Sequence, residues 1–372
     1  MTKNLFVTLA DKNYLDQIKQ LFSSIYFNAG WNGDCMLLSH EIADSDLEWF
    51  QSRGILVKKC EPFYSERLGY LPAMVFDRLY LFTEEFRRWD HIVCLEGDIL
   101  VRDSIDALTK IDGFGAVRIM NGYRYSLFGQ FYHYNQARLN ELKAKFDLSR
   151  PALNAGVLAF PTNIITEGMT EKFRAIIDEY KDIMVFSDET VFNIYFYNHW
   201  IELPAVYNVC PSWEIGFRRC RPDDLKGIIL HGYSSFFRTP RKIWFPGNPV
   251  YEEWQANLAK ADQIDFNKPM AIKGKNKVRD IEKDSELILN LPNRYFYVLI
   301  IRSVLKKIGN DQFWEMIDHI KIKLRLWQFM FRKWNRQRNW AQYPARVFIF
   351  FKNHFPRAYK KLGDMKQKVM KN

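Results

Sequence analysis

Cysteine is scarce in this chain: there are five in 372 residues, an odd number with no Cys-x-x-Cys pair, which argues against a disulfide framework and against a zinc site. Cys60 and Cys94 close or sit within apolar runs and read as buried thiols. Long apolar runs are missing as well. The longest, Tyr295 to Ile301, falls far short of the roughly 20 residues that span a bilayer. Near the start, Leu5 to Ala10 is interrupted by Asp11 and Lys12, too early for the apolar stretch of a secretion signal. No internal repeat is evident. These absences lead us to expect a protein of the reducing cytoplasm without a transmembrane helix.

Acidic charge is missing from one region only. Residues 321–372 carry fifteen Lys and Arg against a single acid, Asp364, whereas residues 1–320 hold 39 basic and 42 acidic groups. The net charge of +11 therefore belongs to the tail, and the body is slightly acidic. With 48% apolar, 26% charged and 16% aromatic residues the chain is globular with an aromatic excess, which excludes fibrous, collagen-like and wholly disordered classes.

Leu5 to Ala10, Asp34 to Ser39, Ile55 to Cys60 and His91 to Leu95 are short apolar runs that read as strands. Between them, Asn13 to Phe27, Ala43 to Ser52 and Pro72 to Phe86 have helical spacing. Strands alternating with helices imply βαβ units and an α/β fold on a mostly parallel sheet. Beyond Leu95 we expect strands at Ile99 to Val101, Gly115 to Met120, Leu153 to Phe160 and Gly227 to Leu230. Helices are expected near Gln130 to Lys145, at Thr170 to Tyr180, and from Ser187 as N-cap. Residues 1–258 read as one domain, the polar and charged residues 259–286 as a linker, and 287–372 as a helical appendage.

Glu96-Gly97-Asp98 follows the strand His91 to Leu95. Two carboxylates at the carboxyl end of a parallel strand stand where α/β sheets bind ligands, and their hard oxygens suit Mg²⁺ or Mn²⁺ shared with substrate phosphates. The glycine between them lets a ribose or phosphate approach the backbone. Asn154-Ala155-Gly156-Val157 sets an amide and a bare backbone inside an apolar strand, the mark of either a ligand approach or a bulge. Asp188-Glu189 puts two acids in the first turn of a helix, where the macrodipole alone favours them. His231 ends the buried run Ile228-Ile229-Leu230, a position for a third metal ligand or for a hydrogen-bonded core histidine.

Taken in order, these segments resemble the retaining nucleotide-sugar glycosyltransferases of family 8, the group of glycogenin and of the bacterial lipopolysaccharide galactosyl- and glucosyltransferases. The likeness runs from Leu5 to about Trp254. It implies a GT-A type fold, a single α/β nucleotide-binding domain with a mixed, mostly parallel sheet. It also implies that Thr8-Leu9-Ala10-Asp11 with Tyr14 holds the uracil and ribose, that Arg78 contacts the donor, and that Gly97, Ala155 and Gly156 border the nucleotide-sugar site. Glu96, Asp98 and His231 correspond to the ligands of Mn²⁺ or Mg²⁺, Asn154 stands on the donor-sugar strand, and Asp188 and Glu189 match the acid pair beside the reacting sugar. Three positions depart from the family. Glu96 replaces the usual Asp, so that its longer side chain reaches the metal through water or binds the ribose instead. Glu189 replaces the Gln of many members and sets a true carboxylate near the sugar C1. The closing diphosphate motif is stretched over His231 to Trp244, with Lys242 the choice for the diphosphate lysine and Arg238 and Arg241 its rivals.

In the tail, at about 100° per residue, Trp327, Phe331 and Trp334 fall within about 60° of arc while Lys321, Arg325, Arg332 and Arg336 fall opposite. An aromatic face with cations behind it suits a helix lying in an anionic membrane surface. Joined to the resemblance, this leads us to expect a retaining, metal-dependent hexosyltransferase with a UDP-sugar donor and a glycolipid, oligosaccharide or lipopolysaccharide-core acceptor, peripheral on the inner face of the cytoplasmic membrane. The alternative is a catalytically silent nucleotide-sugar binder or membrane assembly partner. Nucleic-acid binding is not expected, because no recognised binding module accompanies the basic tail.

Overall fold

The apolar runs at the start of the chain need cover on both faces, and parallel strands with helical crossovers supply it. The computed structural model describes residues 3–69, 71–120, 126–211, 225–232, 249–268 and 280–290. Within them β1 (Asn4–Asp11), β2 (Asp34–His40) and β3 (Ile55–Lys59) pair in parallel, and β4 (His91–Leu95) joins the other side of β1, also parallel. The sheet then becomes mixed. β7 (Leu153–Pro161) runs antiparallel to both β4 and β6 (Phe114–Arg118), and β8 (Trp200–Glu202) closes the edge parallel to β6, in the order β3-β2-β1-β4-β7-β6-β8. A small second sheet pairs β5 (Ile99–Val101) with β9 (Ile229–His231) antiparallel. This is the α/β, mostly parallel architecture that the strand pattern implies, with the mixed sheet that the resemblance implies.

On one face of the sheet α1 (Leu15–Ser24) and α2 (Asp44–Gln51) cover Phe6, Leu37 and Val93. On the other, α4 (Met169–Tyr180) and α5 (Ser187–Tyr195) cover Leu5, Leu38 and Leu158, and α3 (Gln136–Lys145) adds Leu139 and Leu142 to the same cluster. The aromatic excess is spent here. Phe82 stacks on Phe160 with ring centroids 4.6 Å apart, and Phe114 stacks on Phe196 at 3.8 Å. Cys35 and Cys94 are buried thiols, whereas Cys60 is half-buried; burial first pushes Cys60 and Cys94 up to about 12, and such thiols are unreactive.

Several expectations need correction. Pro72 to Phe86 is not an α-helix but successive 3₁₀ turns, Ala73–Phe82 and Glu84–Arg88. The first is buried almost all round, so no solvent-facing stripe selects the 3.6-residue period. The helix expected from Gln130 starts at Gln136, where Asn135 caps it by accepting from Arg138 N–H. Part of the stretch expected as a linker is built into the core. Ala261 and Ile264 are buried, Phe266 packs edge-on to Phe22 and Tyr26, and Trp49 Nε1 donates to Asp262. Farther on, α7 (Ile281–Asn290) buries Ile288, following α6 (Pro249–Leu258), whose Glu253 pairs with Arg102 at 2.7 Å. No helix among the described residues is long and apolar enough to cross a membrane. The basic aromatic tail and Arg238, Arg241 and Lys242 lie outside the described residues.

Phe114 touches the rings of Phe82, Phe160, Phe192 and Phe196. Phe114→Ala is expected to lower unfolding free energy by about 3–5 kcal/mol in denaturant titrations. A loss under about 1 kcal/mol would show that this aromatic cluster is not a principal source of stability.

Candidate functional site

Glu96 and Asp98 occupy the turn between β4 and β5, and strand pairing brings His231 to them. Ile99 lies opposite His231 in the β5–β9 register, and Gly232 N–H donates to the Asp98 carbonyl at 2.9 Å. His231 Nε2 ends 2.9 Å from Glu96 Oε2 and 3.3 Å from Asp98 Oδ1. One ligand atom from each of the three residues can be chosen so that all lie within 4.8 Å of one another. Two carboxylates and an imidazole nitrogen are a donor set that fits a divalent cation. Burial alone would lower the His231 pKa, but Asp98 and Glu96 lift it well above the ordinary value. Burial pushes the Asp98 carboxyl up against the opposing pull of His231. Burial would also raise Glu96, but Arg78 and His231 outweigh it and bring it down to about 2.

Arg78 comes from the 3₁₀ segment and is 2% exposed. Its Nη1 donates to the Ala155 carbonyl at 2.7 Å, while Nη2 pairs with Glu96 Oε1 at 2.9 Å and with Asp188. The resemblance implies that Arg78 meets the donor; in this structure its guanidinium ties together two acids of the site. Asp188 is fully buried, and burial pushes its carboxyl up to about 7 despite Arg78, with Glu96 and Glu189 adding to the rise. Its Oδ1 has no hydrogen-bond partner among the described residues.

Of the two readings of segment 154–157, the structure shows the bulge, and it lies beside Glu96 and Glu189. Ala116 pairs with Leu158 but Val117 pairs with Asn154, so Ala155 to Val157 have no partner on β6. Their backbone groups turn to other work. Gly156 O accepts from Glu96 N–H at 3.0 Å, and Ala155 N–H donates to Glu189 Oε2 at 3.1 Å. Glu189 Oε2 also accepts from Asn154 Nδ2, and Oε1 from Gln130 Nε2, each at 2.9 Å. Asn208 closes the ring, donating from Nδ2 to Asn154 Oδ1 at 2.6 Å and meeting His231 Nδ1 with Oδ1 at 2.9 Å.

Ser187 is not the side-chain cap of α5. It adopts φ +42° in the left-handed region, and its hydroxyl donates to the Leu68 carbonyl at 2.7 Å; the Phe186 N–H goes to Thr190 Oγ1 instead. Thr8, Leu9 and Ala10 are buried in β1, so Asp11 and Tyr14 keep the partial exposure at that end. Gly97 is close to Ile18, whose flexible end could give way. Gly156 has no such latitude: a Cβ there would stand 2.3 Å from His231 Cε1 and 2.5 Å from Nδ1. Sequence reasoning missed Gln130 and Asn208, as well as Asn193, which accepts from Leu153 N–H and donates to its carbonyl. No local pattern marks them, because each is defined by a partner distant in the chain. Gly156→Ala is expected to displace His231 and weaken Mn²⁺ binding by at least about tenfold in calorimetric titration, with a small change in melting temperature; undiminished affinity would contradict the close approach.

With this geometry established, the chain can be set beside known proteins. The model of glycosyl transferase family 8 matches residues 6–231. No curated protein matches the chain. An active-site mutant of LgtC is 18% identical over 68% of this chain and 95% of LgtC, with a TM-score of 0.53. The galactosyltransferase LgtC in complex with donor and acceptor sugar analogues is 17% identical over 69% and 95%, with a TM-score of 0.51. The bifunctional glycosyltransferase WbbM is 16% identical over 71% of this chain and 51% of its own, with a TM-score of 0.50. At such identities the structural likeness speaks to the fold, which is of the GT-A type, and the family match, which spans more than half of the sequence and includes the Glu96, Asp98, Asn154, Asp188 and His231 segments, shows that this chain belongs to glycosyl transferase family 8.

Proposed function

We propose that this protein is a retaining, metal-dependent hexosyltransferase that uses a UDP-sugar donor and a glycolipid or lipopolysaccharide-core acceptor at the inner face of the cytoplasmic membrane. The observation that carries the reading is the convergence of Glu96, Asp98 and His231 at the carboxyl end of β4, beside the Asn154-Ala155-Gly156 bulge. LgtC, named a galactosyltransferase and solved with donor and acceptor sugar analogues, supports it as a fold relative. Mn²⁺ or Mg²⁺, when bound, would supply Lewis-acid stabilisation of the departing diphosphate. The residues present fit that role: Asp98, His231 and Glu96 offer ligands, and Arg78 holds Glu96 and Asp188 in place. Asp188, whose Oδ1 has no hydrogen-bond partner among the described residues, is the residue this reading assigns to sugar hydroxyls. Glu189 has both oxygens engaged by N–H donors, Oε1 by Gln130 and Oε2 by Asn154 and the Ala155 backbone, which fixes the carboxylate beside the site. Its role in this reading is to stabilise positive charge at C1. Lys242, or else Arg238 or Arg241, would bind the diphosphate.

A panel of UDP-sugars assayed for UDP release with Mn²⁺ tests the proposal. One sugar is expected to be turned over, and Asp98→Asn is expected to reduce its rate by about 10²-fold or more, equivalent to several kcal/mol of lost transition-state stabilisation. The absence of both turnover and any thermal shift with UDP and Mn²⁺ would refute it. The membrane assignment rests on the tail's fifteen cations against one acid, each worth about 1 kcal/mol near an anionic surface. The full chain is expected to co-sediment with anionic vesicles and to be released by salt; equal binding to neutral vesicles, or none, would remove the electrostatic anchor.

A further inference from the structure

We infer that Asn208 is a positioning residue which sets the proton of His231 and joins the Glu96, Asp98 and His231 cluster to Glu189 as one hydrogen-bonded unit; this rests on the reading of that cluster as a metal site. The argument starts at the far end. An ionised Glu189 can only accept, so Asn154 must present its NH₂ to Oε2, 2.9 Å away. That turns Asn154 Oδ1 toward Gly156 N–H and Asn208, and the Gly156 contact at 3.0 Å confirms the orientation independently, because a backbone N–H can only donate. Asn208 must then give its NH₂ to Asn154, which leaves its Oδ1 to face the ring of His231 at 2.9 Å. An oxygen there requires a proton on Nδ1. The neutral ring is thereby committed to offering Nε2, the nitrogen that lies between Glu96 and Asp98.

The backbone supports the same assignment. Asn208 follows the 3₁₀ turn Ala205–Tyr207 and is 7% exposed, and Val209 bonds to β9 on both sides, its N–H to Ile229 O and its carbonyl to His231 N–H. The amide is therefore delivered to the ring by strand pairing. Gly156 keeps the space beside the ring clear.

The test uses the metal-free full chain with ¹⁵N-labelled histidine rings, together with Mn²⁺ titration followed by paramagnetic resonance. Wild type is expected to show a His231 Nδ1–H signal protected from exchange. Asn208→Ala is expected to lose that signal and to bind Mn²⁺ about 10–100-fold more weakly. Asn208→Asp, which keeps an acceptor for the ring, is expected to retain the signal and recover part of the affinity. A protected Nδ1–H or wild-type Mn²⁺ affinity in Asn208→Ala would overturn the inference, as would loss of the signal in a folded Asn208→Asp. Failure of the wild type to bind Mn²⁺ would instead overturn the metal reading, and the ring spectra would still decide what Asn208 does.

Discussion

The site depends on one buried cation. Arg78 reaches the end of β4, the bulge of β7 and the first turn of α5 with a single guanidinium, through Glu96, the Ala155 carbonyl and Asp188. Burying this charge is tolerable only because its partners are buried with it, and removing one partner of such a group typically costs about 3–5 kcal/mol. The planar fork of arginine suits three acceptors in different directions; a lysine would offer a point charge and no fixed geometry. Glu96, partly exposed, and Asp188, fully buried, share this contact and yet depart in opposite directions from the ordinary carboxylate range. Glu96 gains Arg78 and His231, whereas Asp188 gains Arg78 alone and feels two other carboxylates.

Around that cation, departures from regular geometry coincide with the site. Ala155 to Val157 leave the β6 ladder, and their freed backbone groups hold Arg78, Glu96 and Glu189. Ser187 takes a left-handed conformation immediately before Asp188, and its hydroxyl anchors the Leu68 carbonyl. A non-glycine residue in that region costs about 1–3 kcal/mol and persists where the surroundings over-determine it. Here a sheet bulge and a strained helix start fix the two acids of α5 against the cluster of Glu96, Asp98 and His231.

Much of the scaffold is legible in the sequence. His91 to Leu95 and Ile99 to Val101 coincide with β4 and β5, because short apolar runs bounded by polar turns have few alternatives. Glu96, Asp98 and His231 were marked by residue type at strand ends, and the fold brings them together. Other expectations failed for physical reasons. The residues around Arg78 have helical spacing but are enclosed on nearly all sides, so tertiary packing rather than an amphipathic stripe chose the 3₁₀ turns. Ser187 has the chemistry of a cap, yet a carbonyl 119 residues away competes for its hydroxyl and wins. The polar look of 259–286 hid Ile264 and Phe266, which cover α1 and α2.

By itself, then, the sequence determined the chemistry available to this protein: hard oxygen ligands and an imidazole at strand ends, a bare backbone within an apolar strand, paired acids at a helix start, and a strongly basic tail. Those features are local, and local propensity and hydrophobic period are enough to fix them. Only the tertiary structure decided which atoms meet. That Arg78 serves two acids, that Glu189 has both oxygens occupied, and that Asn208 faces Nδ1 of His231 all follow from the register of β5 with β9 and from the bulge of β7 against β6. Hydrogen-bond polarity between residues tens of positions apart is a property of that register, and a one-residue slip of either strand would turn these side chains to the opposite face.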